Sequence, residues 1–241
     1  RAGVTAQKHA PAELDPVMTL PPHLEFTEPF ERALRLMETT RRHVFVTGRA
    51  GTGKSTLLNH FKATTAKRAA VLAPTGVAAL NVGGQTIHSF FGFKPDVTPE
   101  SARRKLRGEK AGIYHRLDAM VIDEVSMVRA DLLDCVDKFL RLNGPDGSLP
   151  FGGVQMILIG DLYQLPPVVK GEQKAIFRGH YESPYFFSAR VMEDLDIVLV
   201  ELERIYRQTD DEFIRLLNAI RNRTATDDDI AAVNRRCCKP E

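Results

Sequence analysis

Short apolar runs alternate along this chain with longer stretches of mixed polarity. The runs are Val44-Phe45-Val46, Ala70-Val71-Leu72, Met120-Val121-Ile122, Met156-Ile157-Leu158-Ile159 and Ile197-Val198-Leu199-Val200. Each is continuous rather than alternating, the pattern of strands buried on both faces. Five strands of a mostly parallel sheet covered by helices are therefore expected. Ahead of the first run, Phe30, Ala33, Leu34 and Met37 recur at spacings of three and four, which predicts a helix over 29–41. Near the other end Phe213, Leu216, Leu217 and Ile220 mark an amphipathic helix, and Asp227-Asp228-Asp229 opens a final short one. The fold class is α/β, a three-layer arrangement with a central parallel sheet.

Two stretches depart from this rhythm. Residues 1–22 mix Pro, Ala, His and isolated charges without a period and read as a poorly ordered lead-in, leaving 23–241 as one domain. Residues 92–117 carry Pro95, Pro99 and the run Arg103-Arg104-Lys105-Leu106-Arg107-Gly108-Glu109-Lys110, and read as an insertion or extended connection. That charge run fits a solvated surface or a nucleic-acid contact equally well.

Composition narrows the function classes. Across 241 residues, 33 Lys+Arg against 31 Asp+Glu leave a net charge of only +2, so any nucleic-acid surface must be local. The three cysteines, Cys135, Cys237 and Cys238, show no C-x-x-C spacing and suit neither a disulfide framework nor a zinc site, so an intracellular, reducing setting is expected. That means cytoplasmic in a bacterium, nuclear or mitochondrial in a eukaryote. No apolar run approaches the ~18 residues needed to cross a bilayer, so the chain is expected to be soluble and without a membrane partner. Without coiled-coil heptads a monomer is expected.

The candidate chemistry begins after the first apolar run. Gly48-Arg49-Ala50-Gly51-Thr52-Gly53-Lys54-Ser55-Thr56 fits G-x-x-x-x-G-K-[ST] between a strand and a helix. Such a loop turns tightly on its glycines, and its amides together with the helix N-terminus point at phosphates. Lys54 is placed to reach the β and γ phosphates, and the Ser55 hydroxyl to ligate magnesium. Val121-Ile122-Asp123-Glu124 is a buried strand ending in two carboxylates: Asp123 on the magnesium side, Glu124 as the general base for water. A third run leads into Gly160-Asp161-Leu162-Tyr163-Gln164-Leu165-Pro166-Pro167, where Gln164 is either a sensor of the γ phosphate or a surface glutamine ahead of a rigid Pro-Pro turn.

In one order along the chain stand the phosphate loop, Ala73-Pro74-Thr75-Gly76-Val77-Ala78-Ala79-Leu80-Asn81, Thr86-Ile87-His88-Ser89-Phe90, the Asp-Glu strand, the Gln164 loop and Glu203-Arg204-Ile205-Tyr206-Arg207-Gln208. This series resembles helicase motifs I, Ia, Ic, II, III and IV of superfamily one, and specifically the PIF (petite integration frequency) subfamily, relatives of the RecD helicases. It spans roughly residues 26 to 236. The resemblance implies a RecA-like lobe of a motor that hydrolyses ATP with Mg²⁺, moves 5′-to-3′ along single-stranded DNA and opens duplexes at forks.

By the same resemblance Lys54, Asp123, Glu124, Gln164 and Arg207 are catalytic. Gly48, Ala50, Gly51, Thr52, Gly53, Lys54, Ser55 and Thr56 bind the nucleotide, and Ser55 and Asp123 bind the metal. Pro74, Thr75, Gly76, Thr86, His88, Phe90 and Phe91 meet the DNA strand, with at least one of the two phenylalanines expected in the core. Relatives usually carry a glutamine upstream of motif I that reads adenine. Here no Gln lies between Gln7 and Gln85, so Phe26 or a residue of 27–30 is expected to form the base pocket.

Motifs V and VI do not occur in the sequence, so the chain reads as a first lobe whose partner is a second RecA-like lobe. Alone it is expected to hydrolyse ATP weakly. Two other classes remain open: a stand-alone ATP-switched binding module, and a small-molecule phosphotransferase, against which the long, donor-rich block from Thr75 to Phe91 argues.

Overall fold

The computed structural model describes residues 26–169, 177, 179–204, 206 and 211–235. Six strands form one parallel sheet: β1 (His43–Gly48), β2 (Ala69–Ala73), β3 (Gln85–Thr86), β4 (Ala119–Ile122), β5 (Gln155–Ile159) and β6 (Ile197–Leu202), in the order β3-β2-β4-β5-β1-β6. Five were expected. The two-residue β3, whose Gln85 and Thr86 pair with Leu72 and Ala73, is too short and too polar to show as an apolar run.

Among the described residues the helices include α1 (Glu28–Thr39), α2 (Lys54–Thr64), α3 (Gly76–Asn81), α4 (Ile87–Phe91), α5 (Glu109–His115), α6 (Ala130–Asn143), α7 (Asp211–Arg221) and α8 (Asp227–Arg235). Among the described residues none is long and apolar enough to cross a membrane.

The central strands behave as their continuous apolar runs predict. β4 and β5 are buried at every position. Alternate residues feed two cores: Met120, Ile122, Met156 and Leu158 join Leu133, Val136 and Phe139 of α6 on one face, while Val121, Ile157 and Ile159 join Phe30, Met37, Leu57 and Phe61 of α1 and α2 on the other. β6 differs. It lies at one edge of the sheet, and its pattern alternates, with Leu199 57% exposed.

Helix α1 ends at Thr39, two residues short of the expected limit, for a definable reason. Thr40 is extended, and the ammonium of Lys67 takes the outgoing carbonyls of Met37 and Thr40 at 2.5 and 2.6 Å. Lys67 also donates to Gln155 Oε1 at 2.6 Å, and Gln155 Nε2 donates to the carbonyls of Leu36 (3.0 Å) and Arg42 (2.7 Å). With the hydroxyls of Thr39 and Thr40, which donate to the carbonyls of Arg35 and Leu36 at 2.7 Å each, these side chains satisfy the end of α1 against the sheet.

The segment 92–117 is built into the domain rather than appended to it. Ala102, Ala111, Tyr114 and Leu117 are buried. Asn143, the last residue of α6, donates to the Arg104 carbonyl at 2.8 Å and accepts from the Leu106 amide at 2.7 Å. The charged side chains Arg103, Lys105, Arg107 and Lys110 stay exposed.

Candidate nucleotide site and nucleic-acid interface

Parallel pairing brings the candidate chemistry to one end of the sheet. Val46 pairs with Ile159 and Ile122 with Leu158, so the residues just past β1, β4 and β5 emerge side by side. The Gly160 amide donates to the Val46 carbonyl (3.1 Å) and the Asp123 amide to the Leu72 carbonyl (2.9 Å), extending the ladder to the last position before each loop.

Gly48 shows why this loop needs glycine. Its φ is +147°, and a Cβ there would lie 2.4 Å from the Leu202 carbonyl oxygen and 2.7 Å from Thr52 Oγ1. Thr52 is buried and donates its hydroxyl to the Arg49 carbonyl at 2.8 Å, closing the turn. Gly53 follows in the left-handed region and leads into α2 without a side-chain cap. The first helical bond runs from the Leu57 amide to the Gly53 carbonyl, so the amides of Lys54, Ser55 and Thr56 have no acceptor inside the helix. A phosphate is the ligand such a terminus fits.

Lys54 points its ammonium back into the loop and donates to the carbonyls of Gly48 (2.6 Å) and Arg49 (3.0 Å). Burial lowers its pKa, an effect opposed by the charges of Asp161, Glu124 and Asp123. The same burial raises both carboxylates of the Asp123-Glu124 pair; Asp123 raises Glu124 further, and Lys54 lowers both. Glu124 sits at φ 51°, ψ 42°, a left-handed conformation that costs a non-glycine residue roughly 1–2 kcal/mol. The strain turns the chain sharply from β4 and presses Val125 and Ser126 against Gly160, where a Cβ would stand 3.0 to 3.2 Å from them.

The donor set fits magnesium held mainly by phosphate and water. Ser55 and Asp123 offer two hard oxygens, and among the described residues no group of three or more His, Cys, Asp or Glu forms a closed cage. Gln164 is exposed; its amide nitrogen lies 3.4 Å from Asp161 Oδ2, on a turn closed by the Gln164 amide to the Asp161 carbonyl at 2.9 Å. Phe26 is 40% exposed, with its ring 5.1 Å from Phe30 in the first turn of α1 and 5.5 Å from His60 in the middle of α2. Ala50 is exposed at the loop tip, and the Tyr206 amide donates to the Gly51 carbonyl at 2.8 Å. Arg207 lies outside the described residues.

The nucleic-acid candidates cluster at the same sheet end, on β2 and β3. Pro74 leaves β2, and Thr75 caps α3 by accepting from the Ala78 amide at 3.2 Å, with Gly76 exposed at the first helical position. Thr86 caps α4 by accepting from the Ser89 amide at 3.1 Å. His88 is half-buried, and burial and the Arg129 charge lower its pKa against the opposing charge of Asp131. Phe91 requires a correction. It is 1% exposed, stacked on Phe93 (5.1 Å) and Tyr114 (5.9 Å), so its ring is not available to a base. Phe90 is half-buried against both Phe91 and Tyr114, which leaves it the better stacking candidate of the two.

Sequence reasoning passed over Val77 and Leu80, which stand 71% and 82% exposed on α3 beside these caps. Their i, i+3 spacing in a helix with no charged residue was the available signal. It also passed over Asp161, buried under Arg221.

A sequence model described as PIF1-like helicase matches residues 30–230. The chain belongs to the PIF1-like helicase family. The mouse ATP-dependent DNA helicase PIF1 is 37% identical over 195 residues, and the ATP-dependent DNA helicase RRM3 of Saccharomyces cerevisiae is 34% identical over 199. Each match covers 79% of this chain, but only 28% of the first relative and 27% of the second. Among solved structures, Bacteroides Pif1 bound to single-stranded DNA superposes with a TM-score of 0.81 at 38% identity, covering 90% of this chain and 51% of that one. Bacteroides Pif1 with ADP-AlF3 and single-stranded DNA superposes at 0.79 with 40% identity, covering 86% and 49%. The fold of this PIF1-like chain is thus the RecA-like P-loop fold of those neighbours, and the chain spans about half their length.

Proposed function

We propose that this PIF1-like domain is the ATP-hydrolysing lobe of a DNA helicase that moves 5′-to-3′ on single-stranded DNA. The observation that carries the reading is the convergence of three strand ends: the Gly48–Ser55 loop, the Asp123-Glu124 pair and the Gln164 turn on one rim of the sheet. The protein names and bound ligands of the relatives support the same assignment.

Each residue then has a defined task. The free amides of Lys54, Ser55 and Thr56 bind the β and γ phosphates, and Lys54 exchanges its two loop carbonyls for phosphate oxygens. The Ser55 hydroxyl and the Asp123 carboxylate would hold magnesium, which when bound neutralises charge on the β and γ oxygens. Glu124 takes a proton from water; the water oxygen bonds to the γ-phosphorus as the bond to the β,γ-bridging oxygen breaks and ADP leaves with the electron pair. A raised pKa makes Glu124 a stronger base, which suits that role. Gln164 contacts the γ phosphate, Arg207 stabilises the charge developing there, and Phe26 packs on the nucleotide base. Pro74, Thr75, Gly76, Thr86, His88 and Phe90 face the DNA strand, and a second RecA-like lobe completes the cleft.

The experiment is strand separation by the full-length protein on duplexes carrying either a 5′ or a 3′ single-stranded tail. The 5′-tailed duplex should be opened in an ATP-dependent manner and the 3′-tailed one left intact. Opening neither duplex would refute the helicase assignment, and opening only the 3′-tailed one would refute the 5′-to-3′ direction.

A further inference from the structure

We propose that Arg221 is a positioning residue for the Gln164 turn, clamping it through Asp161 and Tyr163. The proposal rests on the ATPase reading above and adds a residue that its motifs do not contain.

Asp161 stands two residues past the end of β5, and its side chain is 1% exposed. A buried charge requires a partner of good geometry. Arg221, in the last turn of α7, donates from Nη1 to Oδ2 at 2.5 Å and from Nη2 to Oδ1 at 2.8 Å, a bidentate pair. The same two oxygens organise the turn: Oδ1 accepts from the Tyr163 amide at 3.0 Å, and Oδ2 lies 3.4 Å from Gln164 Nε2. The guanidinium carbon also sits 4.3 Å from the centre of the Tyr163 ring. One side chain therefore holds Asp161 and Tyr163 together, and Gln164 hangs from the same carboxylate.

The clamp has a firm base. Leu216 of α7 is buried, and Arg215 pairs with Asp229 of α8 at 2.8 Å, while Asp229 accepts from the Thr226 amide and hydroxyl at 3.0 Å each. The turn that reads the γ phosphate is thus tied to the C-terminal helix pair. Lysine could not replace this arginine fully, because a single ammonium cannot form the fork and lie flat on a ring.

The test uses the full-length protein as wild type, Arg221→Ala, Arg221→Lys, Gln164→Ala and the Arg221→Ala/Gln164→Ala double variant. DNA-stimulated ATP turnover is measured together with affinity for ADP alone and for ADP with aluminium fluoride. Arg221→Ala should lower kcat by roughly tenfold or more with little change in KM, as for an interaction made mainly in the transition state. It should also lose most of the tightening that fluoride brings, with ADP affinity intact. Arg221→Lys should recover only part of the rate, and the double variant should be no slower than Gln164→Ala.

Three results would overturn the proposal: wild-type kcat and fluoride tightening in Arg221→Ala, a parallel loss of ADP affinity and thermal stability, or additive effects in the double variant. A wild-type protein that binds no ATP would instead defeat the ATPase reading, and the clamp would fall with it.

Discussion

At the scale of single residues, the site holds its charges at a cost that the ligand-free fold must carry. Burial disfavours the ionised forms of Asp123 and Glu124, and their proximity adds to it at Glu124. A carboxyl whose folded pKa is raised contributes stability below its unfolded pKa, and that contribution is lost as pH rises through the folded value. At neutral pH, well above the ordinary carboxylate range, both groups therefore weigh against the ligand-free fold. Asp123→Asn and Glu124→Gln should each raise the thermal midpoint of the nucleotide-free protein at pH 7 while abolishing ATP turnover. The gain should shrink as pH is lowered through the carboxylate range; differential scanning fluorimetry across pH checks both signs. The spacing of Lys54 and Ser55 behind three glycines, and of Asp123-Glu124 at the end of an apolar run, was visible in the sequence because these roles depend on local chain geometry. The Arg221–Asp161 pair was not, because 60 residues separate its members and neither stands in a pattern of its own.

At the scale of elements, continuous apolar runs identified β4 and β5 because strands buried on both faces leave no polar positions. The same rule over-read Ile197–Val200, where the edge position of β6 leaves Leu199 exposed. It missed β3, whose role is to carry Thr86 to the rim. Phe91 illustrates a second limit: a motif marks a segment, while the helix period decides which of its side chains turns inward. The end of α1 depended on Lys67 and Gln155, two polar residues distant in sequence that meet only in the folded chain. Because Gln155 is buried and donates to the Arg42 carbonyl, while the Leu36 carbonyl keeps the Thr40 hydroxyl at 2.7 Å, Gln155→Leu should destabilise the domain by about 1–3 kcal/mol for the Arg42 carbonyl left unpaired. Urea denaturation should show this as a lower midpoint with an unchanged slope. An unchanged midpoint would mean that water satisfies the Arg42 carbonyl.

At the scale of the whole molecule, six parallel strands place phosphate-binding amides, two carboxylates and a candidate DNA-facing rim at one end of one sheet. Within it β4, which ends at the carboxylate pair, is the hydrogen-bonded neighbour of β2, which leads into the candidate DNA-facing helix α3. In the proposed motor, ATP hydrolysis at Lys54 and Glu124 drives movement on single-stranded DNA. The most direct measurement is ATP turnover by the full-length protein with and without single-stranded DNA, in the wild type and in Lys54→Ala. Single-stranded DNA should stimulate the wild type strongly, and Lys54→Ala should fall by roughly 10²-fold or more, as for loss of a preorganised transition-state donor. Turnover indifferent to DNA, or surviving in Lys54→Ala, would contradict the account.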